Sequence, residues 1–371
     1  MTQNIPATMR AMMLTGYGGL DKLEYREDVP TPKTKPGDVL IKVGACGLNN
    51  TDVNTRAGWY SKSVTVGTTA EGGRDGFAGV AGDTATWTEG GLTFPHVQGA
   101  DAVGRIVGVG PGVAETRIGE RVMVDGWMRD PADPDALGKA RYFGSECWGG
   151  FAEYTVAPAV NAFPVSSSLS DADLATFPCS YSTAENMLVR AGLREGETVL
   201  ITGASGGVGS ALIQLAGLRG ARVVAVAGAA KEAQVRALGV EGFIRRDSPD
   251  FGAAIADFLA GTPLDLAADV VGGGGFMDLI HALRPGGRYV TAGAIGGPIV
   301  ELDLRILYLQ DLTLYGSTVN DRSVFPNLLS YIEADRIRPL LAKTFPLSQL
   351  REAQETFMAK THVGNIVVIP G

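Results

Sequence analysis

Cysteine and histidine are scarce in this chain, which has three of each among its 371 residues. Three cysteines are too few for a disulfide framework and suit a reducing cytosol. No apolar run reaches the roughly 18 residues that a transmembrane helix needs, so no membrane partner is expected. The N-terminal residues lack a basic stretch followed by an apolar one, and we therefore expect a cytoplasmic protein without a secretion signal.

Positive charge is also limited, because the formal net charge is −8. This balance argues against a nucleic-acid-binding surface and leaves a small molecule as the expected partner. Hydrophobic residues make up 45% of the chain, which is enough for sizeable cores. A chain of this length is expected to form two ordinary domains or one very large one.

The strongest pattern is a short apolar run, a glycine-rich turn and a helix start, at Val199–Gly209 and the residues that follow. Such a strand, turn and helix N-terminus form a pyrophosphate cradle, because backbone N–H groups and the helix dipole both favour the anion. The spacing of the usual glycine fingerprint puts Ala204 at its first glycine. The alternative is a glycine-rich turn in another kind of α/β protein. The expected contacts of the turn are Ala204, Ser205, Gly206, Gly207 and Val208.

The chain lacks an acidic residue where NAD-binding proteins usually carry one. An Asp or Glu near the end of the second strand would bind the ribose 2′-OH. Here that strand ends at Ala227 and is followed by Gly228, two alanines and Lys231, with Arg246 further along. Because a cation attracts a 2′-phosphate and an acid repels it, we expect NADP(H). The alternative is that Lys231 is a solvated residue at a helix start. The other expected cofactor contacts are Thr183, Gly228, Gly272, Gly293 and Ala294.

The organisation of the chain changes near residue 160. Residues 9–125 contain short β segments divided by Gly and Pro, which is typical of a compact β-rich domain. Residues 170–318 alternate strands with helices, as in a doubly wound α/β domain with a parallel sheet. The six strands expected there are Thr198–Thr202, Val223–Ala227, Phe243–Ile244, Leu266–Val271, Arg288–Ala292 and Leu312–Tyr315.

Two further segments carry expectations. Pro285–Gly287 predicts a turn between a helix and the fifth strand. The apolar residues that follow Asn365 predict a last strand that returns to the β-rich domain. Ser61–Phe94 is rich in glycine and threonine with little periodicity, which leaves a functional lid and a tolerated surface insertion as equal alternatives.

Taken together, these features resemble the medium-chain dehydrogenase/reductase superfamily over nearly the whole chain. The resemblance rests on the β-rich first part, on the motif Ala204–Gly209, on Gly149–Tyr154 and on the late Pro285–Val290. It implies a GroES-like catalytic domain over residues 1–160, a Rossmann domain over 161–319 and a return to the first domain over 320–371.

Within the superfamily, the chain is similar to the quinone oxidoreductase branch. Gly47–Asp52 followed by Arg56–Tyr60 resembles the signature of that branch, and Tyr60 also matches a tyrosine of enoyl thioester reductases. In those enzymes the tyrosine is implicated as a proton donor or substrate orienter. Asn54 stands where quinone reductases have a second tyrosine, so quinone specificity does not carry over directly.

The zinc ligands of alcohol dehydrogenases in this superfamily are only partly matched. Cys46 matches the first ligand and Cys179 can match the last, whereas Ala100 replaces the histidine and Asp101 replaces the neighbouring glutamate. A structural zinc lobe would need four close cysteines, and residues 126–150 hold only Cys147. We therefore expect no metal. A site built from Cys46, Asp101 and Cys179 is the alternative.

Without a metal, reduction depends on the nicotinamide and on local hydrogen bonds. Hydride would add to the β-carbon of a conjugated carbonyl, and Tyr60 would supply the proton because a phenol stays protonated at neutral pH. Asn49 and Asn54 could donate to the carbonyl oxygen or to the nicotinamide ribose, whereas Asp52 is expected to orient its neighbours. The alternatives are turn hydrogen bonding for the asparagines and simple packing for Tyr60.

Three classes of function remain open on the sequence alone. The first is an NADPH-dependent reductase of quinones, enones or enoyl thioesters that uses no metal. The second is a zinc-using alcohol dehydrogenase, and the third is a protein that binds NADPH without catalysis. The alternating segment Leu312–Tyr315 is placed as the last strand of the Rossmann sheet, an edge that homologous proteins commonly pair in a homodimer, which we expect here.

Overall fold

The computed structural model describes residues 5–80 and 91–371. Within these residues, the first part contains ten strands and two α-helices, which surround a largely aliphatic core. The helices are α1 (Asn50–Ala57) and α2 (Ala70–Asp75). The strands are β1 (Thr8–Leu14), β2 (Leu23–Pro30), β3 (Asp38–Leu48), β4 (His96–Val97), β5 (Asp101–Val109), β6 (Arg121–Val124), β7 (Trp127–Met128), β8 (Arg141–Tyr142), β9 (Tyr154–Pro158) and β10 (Ala162–Pro164).

The second part alternates strands and helices. Its helices are α3 (Asp171–Leu174), α4 (Pro178–Ala191), α5 (Gly207–Leu218), α6 (Glu232–Arg236), α7 (Phe251–Leu259), α8 (Phe276–Ala282) and α9 (Leu304–Leu309). Its strands are β11 (Thr198–Ile201), β12 (Arg222–Ala227), β13 (Gly242–Arg245), β14 (Leu264–Asp269), β15 (Leu283–Thr291) and β16 (Thr313–Gly316). The chain ends with α10 (Val324–Glu333), β17 (Leu341–Pro346), α11 (Leu350–Met358) and β18 (Asn365–Ile369).

The six strands of the second part form one parallel sheet, which confirms the predicted doubly wound α/β fold. Their order is β13-β12-β11-β14-β15-β16, and β11 is buried along its whole length because helices cover both faces. The strand order reverses between β11 and β14. Ligands of open α/β sheets bind at the carboxyl ends of the strands at such a switch point.

The prediction for Pro285–Gly287 was wrong in one respect. The segment lies inside β15 as a bulge, since Leu264 pairs with Leu283 and Leu266 pairs with Arg288. Gly286 has φ +73°, a left-handed conformation that lets the chain loop out and rejoin the ladder. The strand therefore begins five residues before the predicted start at Arg288.

The last strand joins the sheet of the first part. Strand β18 pairs antiparallel with β3 and parallel with β17, so residues before 165 and after 340 share one sheet. This brings the segment before β18 against the glycine-rich turn, where Gly364 N–H donates to the Ser205 carbonyl at 3.0 Å. The domain boundaries at residues 160 and 319 stay predictions.

The segment Ser61–Phe94 has more structure than its sequence pattern predicted. Helix α2 lies within it, capped by the Thr69 hydroxyl, which accepts from the N–H of Gly72 at 2.9 Å. Thr68 N–H donates to the Ile295 carbonyl at 2.8 Å, which ties this segment to the second part. Residues 81–90 of the segment lie outside the described residues. In the part that is described, no helix is long and apolar enough to span a bilayer.

Candidate active site

A cavity of about 650 Å³ lies between the two parts, at the switch point of the parallel sheet. Its walls come from the glycine-rich turn, the starts of α1 and α4, and the segment that precedes β18. The predicted site residues that line it are Asn49, Asn54, Tyr60, Thr183, Ser205, Gly206, Gly207, Val208, Gly228, Lys231, Arg246, Gly272, Gly293 and Ala294. Two predicted residues, Asp52 and Ala204, do not line it.

The glycine-rich turn has the geometry that a dinucleotide needs. Gly203, two residues after the end of β11, adopts φ +58°, and a Cβ on Gly209 would lie 2.2 Å from the Gly203 carbonyl oxygen. Gly209 therefore lets α5 pack tightly against the turn. Gly206 is open by contrast, since an added Cβ would meet only the Gly203 carbonyl oxygen, at 3.5 Å. This open backbone lies at the N-terminus of α5, where it fits a pyrophosphate.

Ala204 packs inside the turn rather than facing the cavity. Its side chain is fully buried, and its N–H donates to the Val226 carbonyl at 3.1 Å. Ala204, at the first position of the glycine fingerprint, therefore holds the turn against β12, and its own N–H is not available to a phosphate.

Lys231 and Arg246 lie on the same side of the cavity. The Lys231 ammonium donates to the carbonyl oxygens of Lys360 and His362, both at 2.7 Å, and to the Ser205 hydroxyl at 3.3 Å. Partial burial and the nearby Arg246 lower the pKa of Lys231. Through these hydrogen bonds, Lys231 connects the segment before β18 to the glycine-rich turn. The sequence did not predict this contact.

Arg246 is exposed at the rim of the cavity, beside Gly228. Within the described part of the chain, its guanidinium donates no hydrogen bond to a protein acceptor. Its donors therefore remain available to a ligand, whereas those of Lys231 are used by the protein.

Tyr60 reaches the cavity from the end of α1. Burial raises the pKa of its phenol to about 12. Hydrogen bonds with the side chains of Thr51 and Asn54 lower this pKa, but by less than burial raises it. Asn54 also accepts from the Thr68 hydroxyl at 3.1 Å, so its amide is held from two sides. The hydroxyl of Tyr60 is therefore protonated at neutral pH and fixed in place.

Asp52 lies behind the cavity wall and holds neighbouring backbone N–H groups. Its carboxylate accepts from Asn49 N–H at 2.8 Å and from Gly99 N–H at 3.1 Å, and the first of these bonds is part of a capping box at the start of α1. Burial raises the pKa of Asp52 to about 7. The group is 2% exposed and does not face the cavity.

Asn49 lines the cavity and donates one of its two side-chain N–H bonds to the buried carboxyl group of Asp101. Its Nδ2 lies 2.8 Å from Oδ2 of Asp101, whose Oδ1 accepts from Cys179 N–H at 2.6 Å. Asp101 on β5 pairs with Gly47 on β3. A Cβ at position 47 would lie 2.6 Å from Oδ2 of Asp101, so the glycine leaves room for this side chain. The amide carries a second N–H, so the predicted donation from Asn49 to a substrate oxygen does not require breaking its bond to Asp101.

The residues at the zinc position do not fit a catalytic zinc. Ala100 contributes no ligand, and both oxygens of Asp101 accept hydrogen bonds from Asn49 and Cys179. Burial, together with the charges of Asp101 and Asp52, raises the pKa of Cys46 well above its usual value, which disfavours the thiolate that zinc needs. In residues 5–80 and 91–371, no three or more His, Cys, Asp or Glu side chains are grouped to hold a metal ion.

Several cavity residues were missed by sequence reasoning because they come from distant segments. Ser180 donates to Oδ1 of Asn365 at 2.9 Å, and Lys360 donates to Oδ1 of Asn50 at 2.8 Å. Trp127 and Tyr142 form another wall, with ring centroids 4.7 Å apart. No local motif marks any of these residues, and only the return of the chain to the first sheet brings the C-terminal ones into the cavity.

Two protein families match this chain. Residues 35–167 match the alcohol dehydrogenase GroES-like domain, and residues 207–334 match the zinc-binding dehydrogenase family. The two matches cover the strands around β3 and most of the parallel sheet.

Similar proteins have been named as dehydrogenases and as a reductase. A solved structure from Sinorhizobium meliloti 1021, described as a candidate alcohol dehydrogenase, is 50% identical with a TM-score of 0.88, covering 100% of this chain and 98% of the other. An NAD-dependent alcohol dehydrogenase of Sulfurisphaera tokodaii is 28% identical over 98% of this chain and 100% of its own. The acryloyl-coenzyme A reductase of Metallosphaera sedula is also 28% identical, over 97% and 99%.

The fold and these matches agree with the expected GroES-like and Rossmann-like domains. The relatives are a dehydrogenase and a reductase by name, and the cavity lies between the glycine-rich turn and the first part of the chain. The chain is a member of the medium-chain dehydrogenase/reductase superfamily.

Proposed function

We propose that this protein is an NADPH-dependent reductase of conjugated carbonyl compounds that works without a metal. The observation that carries the proposal is the Asn49–Asp101–Cys179 hydrogen-bond network, which engages both oxygens of Asp101 beside Ala100, the residue that the superfamily resemblance aligns with a zinc-ligating histidine. We infer that a carbonyl oxygen in this cavity is polarised by hydrogen bonds. The name of the acryloyl-coenzyme A reductase relative supports an activated double bond as the reacting group.

The side chains of this site can hold and supply a proton. When the cofactor is bound, its nicotinamide supplies the hydride. Tyr60 carries a phenol that stays protonated at neutral pH, and Thr51 and Asn54 hold its hydroxyl by hydrogen bonds. That hydroxyl is the group we assign to protonate or hydrogen-bond the developing enolate. Asp101 and Asp52 act behind this surface by fixing Asn49 at the start of α1.

The preference for NADPH is supported by the cationic rim of the cavity. Arg246 has donors that no described protein group uses, and Gly228 beside it carries no side chain that would block a phosphate. No carboxylate follows β12 directly, so nothing there selects a free ribose hydroxyl. Lys231 adds positive charge while its own hydrogen bonds hold the neighbouring segment.

The protein is also proposed to act as a homodimer. Large apolar side chains are exposed on α9 and just before it, and β16 leaves the edge of the parallel sheet open among the described strands. Exposed apolar patches and open edges of this kind are usually covered by a partner. The exposed residues are Ile299, Val300, Leu304, Tyr308, Leu309 and Leu314. The cytoplasmic location stays a prediction.

The test is a panel of acceptors assayed by NADPH oxidation, with and without a metal chelator. Quinones, enones and enoyl thioesters should be reduced at rates that the chelator leaves unchanged, and elemental analysis should find no stoichiometric zinc. Turnover of unconjugated aldehydes alone, lost in chelator, would instead identify a zinc-using alcohol dehydrogenase. NADPH binding without turnover of any acceptor would identify a non-catalytic protein.

A further inference from the structure

Tyr142 places a second phenol in the wall of the cavity of about 650 Å³. The residue ends the short strand β8, which pairs with β7, and its side chain is 7% exposed. It packs in one buried cluster with Ala100, against which Cys179 also packs. The phenol therefore lies beside positions 100 and 179, two of the positions to which the superfamily resemblance assigns zinc ligands in alcohol dehydrogenases.

The backbone and the ring of Tyr142 are held by several contacts. Its N–H donates to Oε2 of Glu146 at 2.9 Å, and its carbonyl accepts from the N–H groups of Ser145 at 3.1 Å and Cys147 at 3.2 Å. A Cβ on Gly126 would lie 2.8 Å from Cε2 of Tyr142, so this glycine leaves room for the ring. None of these contacts uses the phenolic oxygen. The ring is thus fixed in advance, as a group that stabilises a transition state must be.

The hydroxyl of Tyr142 is hydrogen-bonded to the Cys179 side chain. Burial, followed by the proximity of Cys179 and Asp101, raises the pKa of Tyr142 well above its usual value. Burial and then Asp101 also raise the pKa of Cys179, so phenol and thiol are both protonated at neutral pH. A thiol sulfur is a weak acceptor. A carbonyl or enolate oxygen in the cavity would therefore replace it as the acceptor of the phenol O–H at little cost.

Cys179 links this phenol to the rest of the site. Besides burial, its proximity contributes to the raised pKa of both Tyr60 and Tyr142. Its side chain is also hydrogen-bonded to Thr183, which lines the cavity and is an expected cofactor contact. The two phenols thus reach the cavity from different elements, Tyr60 from the end of α1 and Tyr142 from β8.

We propose that the Tyr142 hydroxyl donates the hydrogen bond that holds the substrate carbonyl oxygen, while Tyr60 delivers the proton to the α-carbon. This inference rests on the proposed function and deepens it, because it divides between two phenols the two tasks assigned there to Tyr60. The β-carbon gains the hydride that NADPH supplies, and the electron pair of the double bond moves toward the oxygen. The α-carbon then takes the Tyr60 proton as the carbonyl re-forms. Tyr142 keeps its own proton throughout, and water returns one to Tyr60.

The first test measures hydride transfer from NADPH in a single turnover, with a series of para-substituted aryl propenyl ketones. Tyr142→Phe should lower this rate by about a hundredfold to a thousandfold, the usual effect of removing one donor to a developing oxyanion. It should also steepen the dependence of the rate on electron-withdrawing substituents, because the aryl ring must then carry charge that the phenol no longer stabilises. A parent-like rate, or a lower rate with the parent slope, overturns the inference.

The second test separates the two phenols by the stereochemistry of the product. Reduction of an α-methyl enone creates a stereocentre at the carbon that Tyr60 is assigned to protonate. Tyr142→Phe should keep the enantiomeric ratio of the parent protein, whereas Tyr60→Phe should lose it because water then protonates the enolate. Loss of the ratio in Tyr142→Phe with retention in Tyr60→Phe would exchange the two roles and overturn the inference.

Matched variants control for the loss of a buried hydroxyl. Tyr181 is fully buried, its hydroxyl donates to the Arg338 carbonyl at 2.7 Å, and it does not line the cavity. Tyr181→Phe should keep the parent slope and enantiomeric ratio. Cys179→Ala should also keep the parent slope, and a steeper slope there with the parent slope in Tyr142→Phe would assign the thiol instead.

A further variant keeps the phenol but moves it. Gly126→Ala places a methyl group against the Tyr142 ring and should steepen the substituent slope in the same direction as Tyr142→Phe. Thermal unfolding midpoints establish that each variant is folded, and Gly126→Ala decides the matter if Tyr142→Phe is not. Parent-like slopes in every folded variant overturn the inference alone. Failure of the parent protein to reduce any of the ketones overturns the proposed function itself.

Discussion

Replacing Arg246 by alanine should remove most of the preference for NADPH over NADH. The guanidinium stands at the cavity rim with no described protein acceptor, and Gly228 beside it leaves room for a phosphate. A hydrogen bond to a charged group contributes about 1.5–3 kcal/mol. Arg246→Ala should therefore weaken NADPH binding by roughly tenfold to hundredfold and leave NADH binding nearly unchanged.

The assay is titration of each cofactor by intrinsic fluorescence or calorimetry at one low, fixed salt concentration. Because Arg246 is exposed, the preference should shrink as salt is raised. Arg245→Ala is the matched control, since it removes the same charge from the adjacent residue. Arg245 pairs with Asp247 at 3.0 Å and does not line the cavity.

Lys231→Ala should behave differently from Arg246→Ala. Its loss leaves the carbonyls of Lys360 and His362 without their donor and frees the segment before β18, so both cofactors should bind more weakly. Equal affinity of the parent protein for NADPH and NADH, or an unchanged preference in Arg246→Ala, would refute this account of the rim.

The remaining predictions concern catalysis, pH and assembly. Tyr60→Phe should lower kcat by about a hundredfold with little change in NADPH affinity. Near-normal turnover would show that the Tyr60 side chain only packs in the cavity wall. Asp101→Asn should cost about 1–3 kcal/mol in urea unfolding near pH 5, because one of the two N–H donors that Asp101 satisfies loses its acceptor. Burial raises the pKa of Asp101 from 3.8 to about 8, so its share of stability is present at low pH and is lost as pH rises through that window. Unfolding curves of Asp101→Asn should accordingly show a weaker pH dependence than the parent between pH 4 and 8, and an equal dependence would contradict the assignment. Leu309→Asp should shift a dimer to monomer in light scattering at micromolar concentration, whereas a monomeric parent protein would disprove the proposed assembly.

The sequence predicted those features that depend on local pattern. The strand, glycine turn and helix around Gly206 follow from residues close together in the chain, and so does the cluster from Asn49 to Tyr60. The sequence could not show that Asp101 would accept hydrogen bonds from Asn49 and Cys179, because that depends on the register between β3 and β5 and on the start of α4.

Contacts between distant segments account for the other differences. Lys231 carried the right charge for a 2′-phosphate, yet its donors are used by carbonyls some 130 residues away. The bulge at Pro285–Gly287 depends on how the flanking residues pair with β14, which no turn signal contains. The wall formed by Trp127 and Tyr142 arises from a two-residue strand pair that is too short to be recognised by periodicity.

In the proposed reaction, hydride is delivered to a conjugated carbon–carbon double bond without a metal. The most direct measurement uses NADPH labelled with deuterium at C4 of the nicotinamide, an unbranched enone and a metal chelator, with the product analysed by NMR. We expect a saturated ketone that carries the deuterium on the carbon β to the carbonyl. Deuterium on the carbinol carbon of an unsaturated alcohol, or a reaction that stops in chelator, would contradict it.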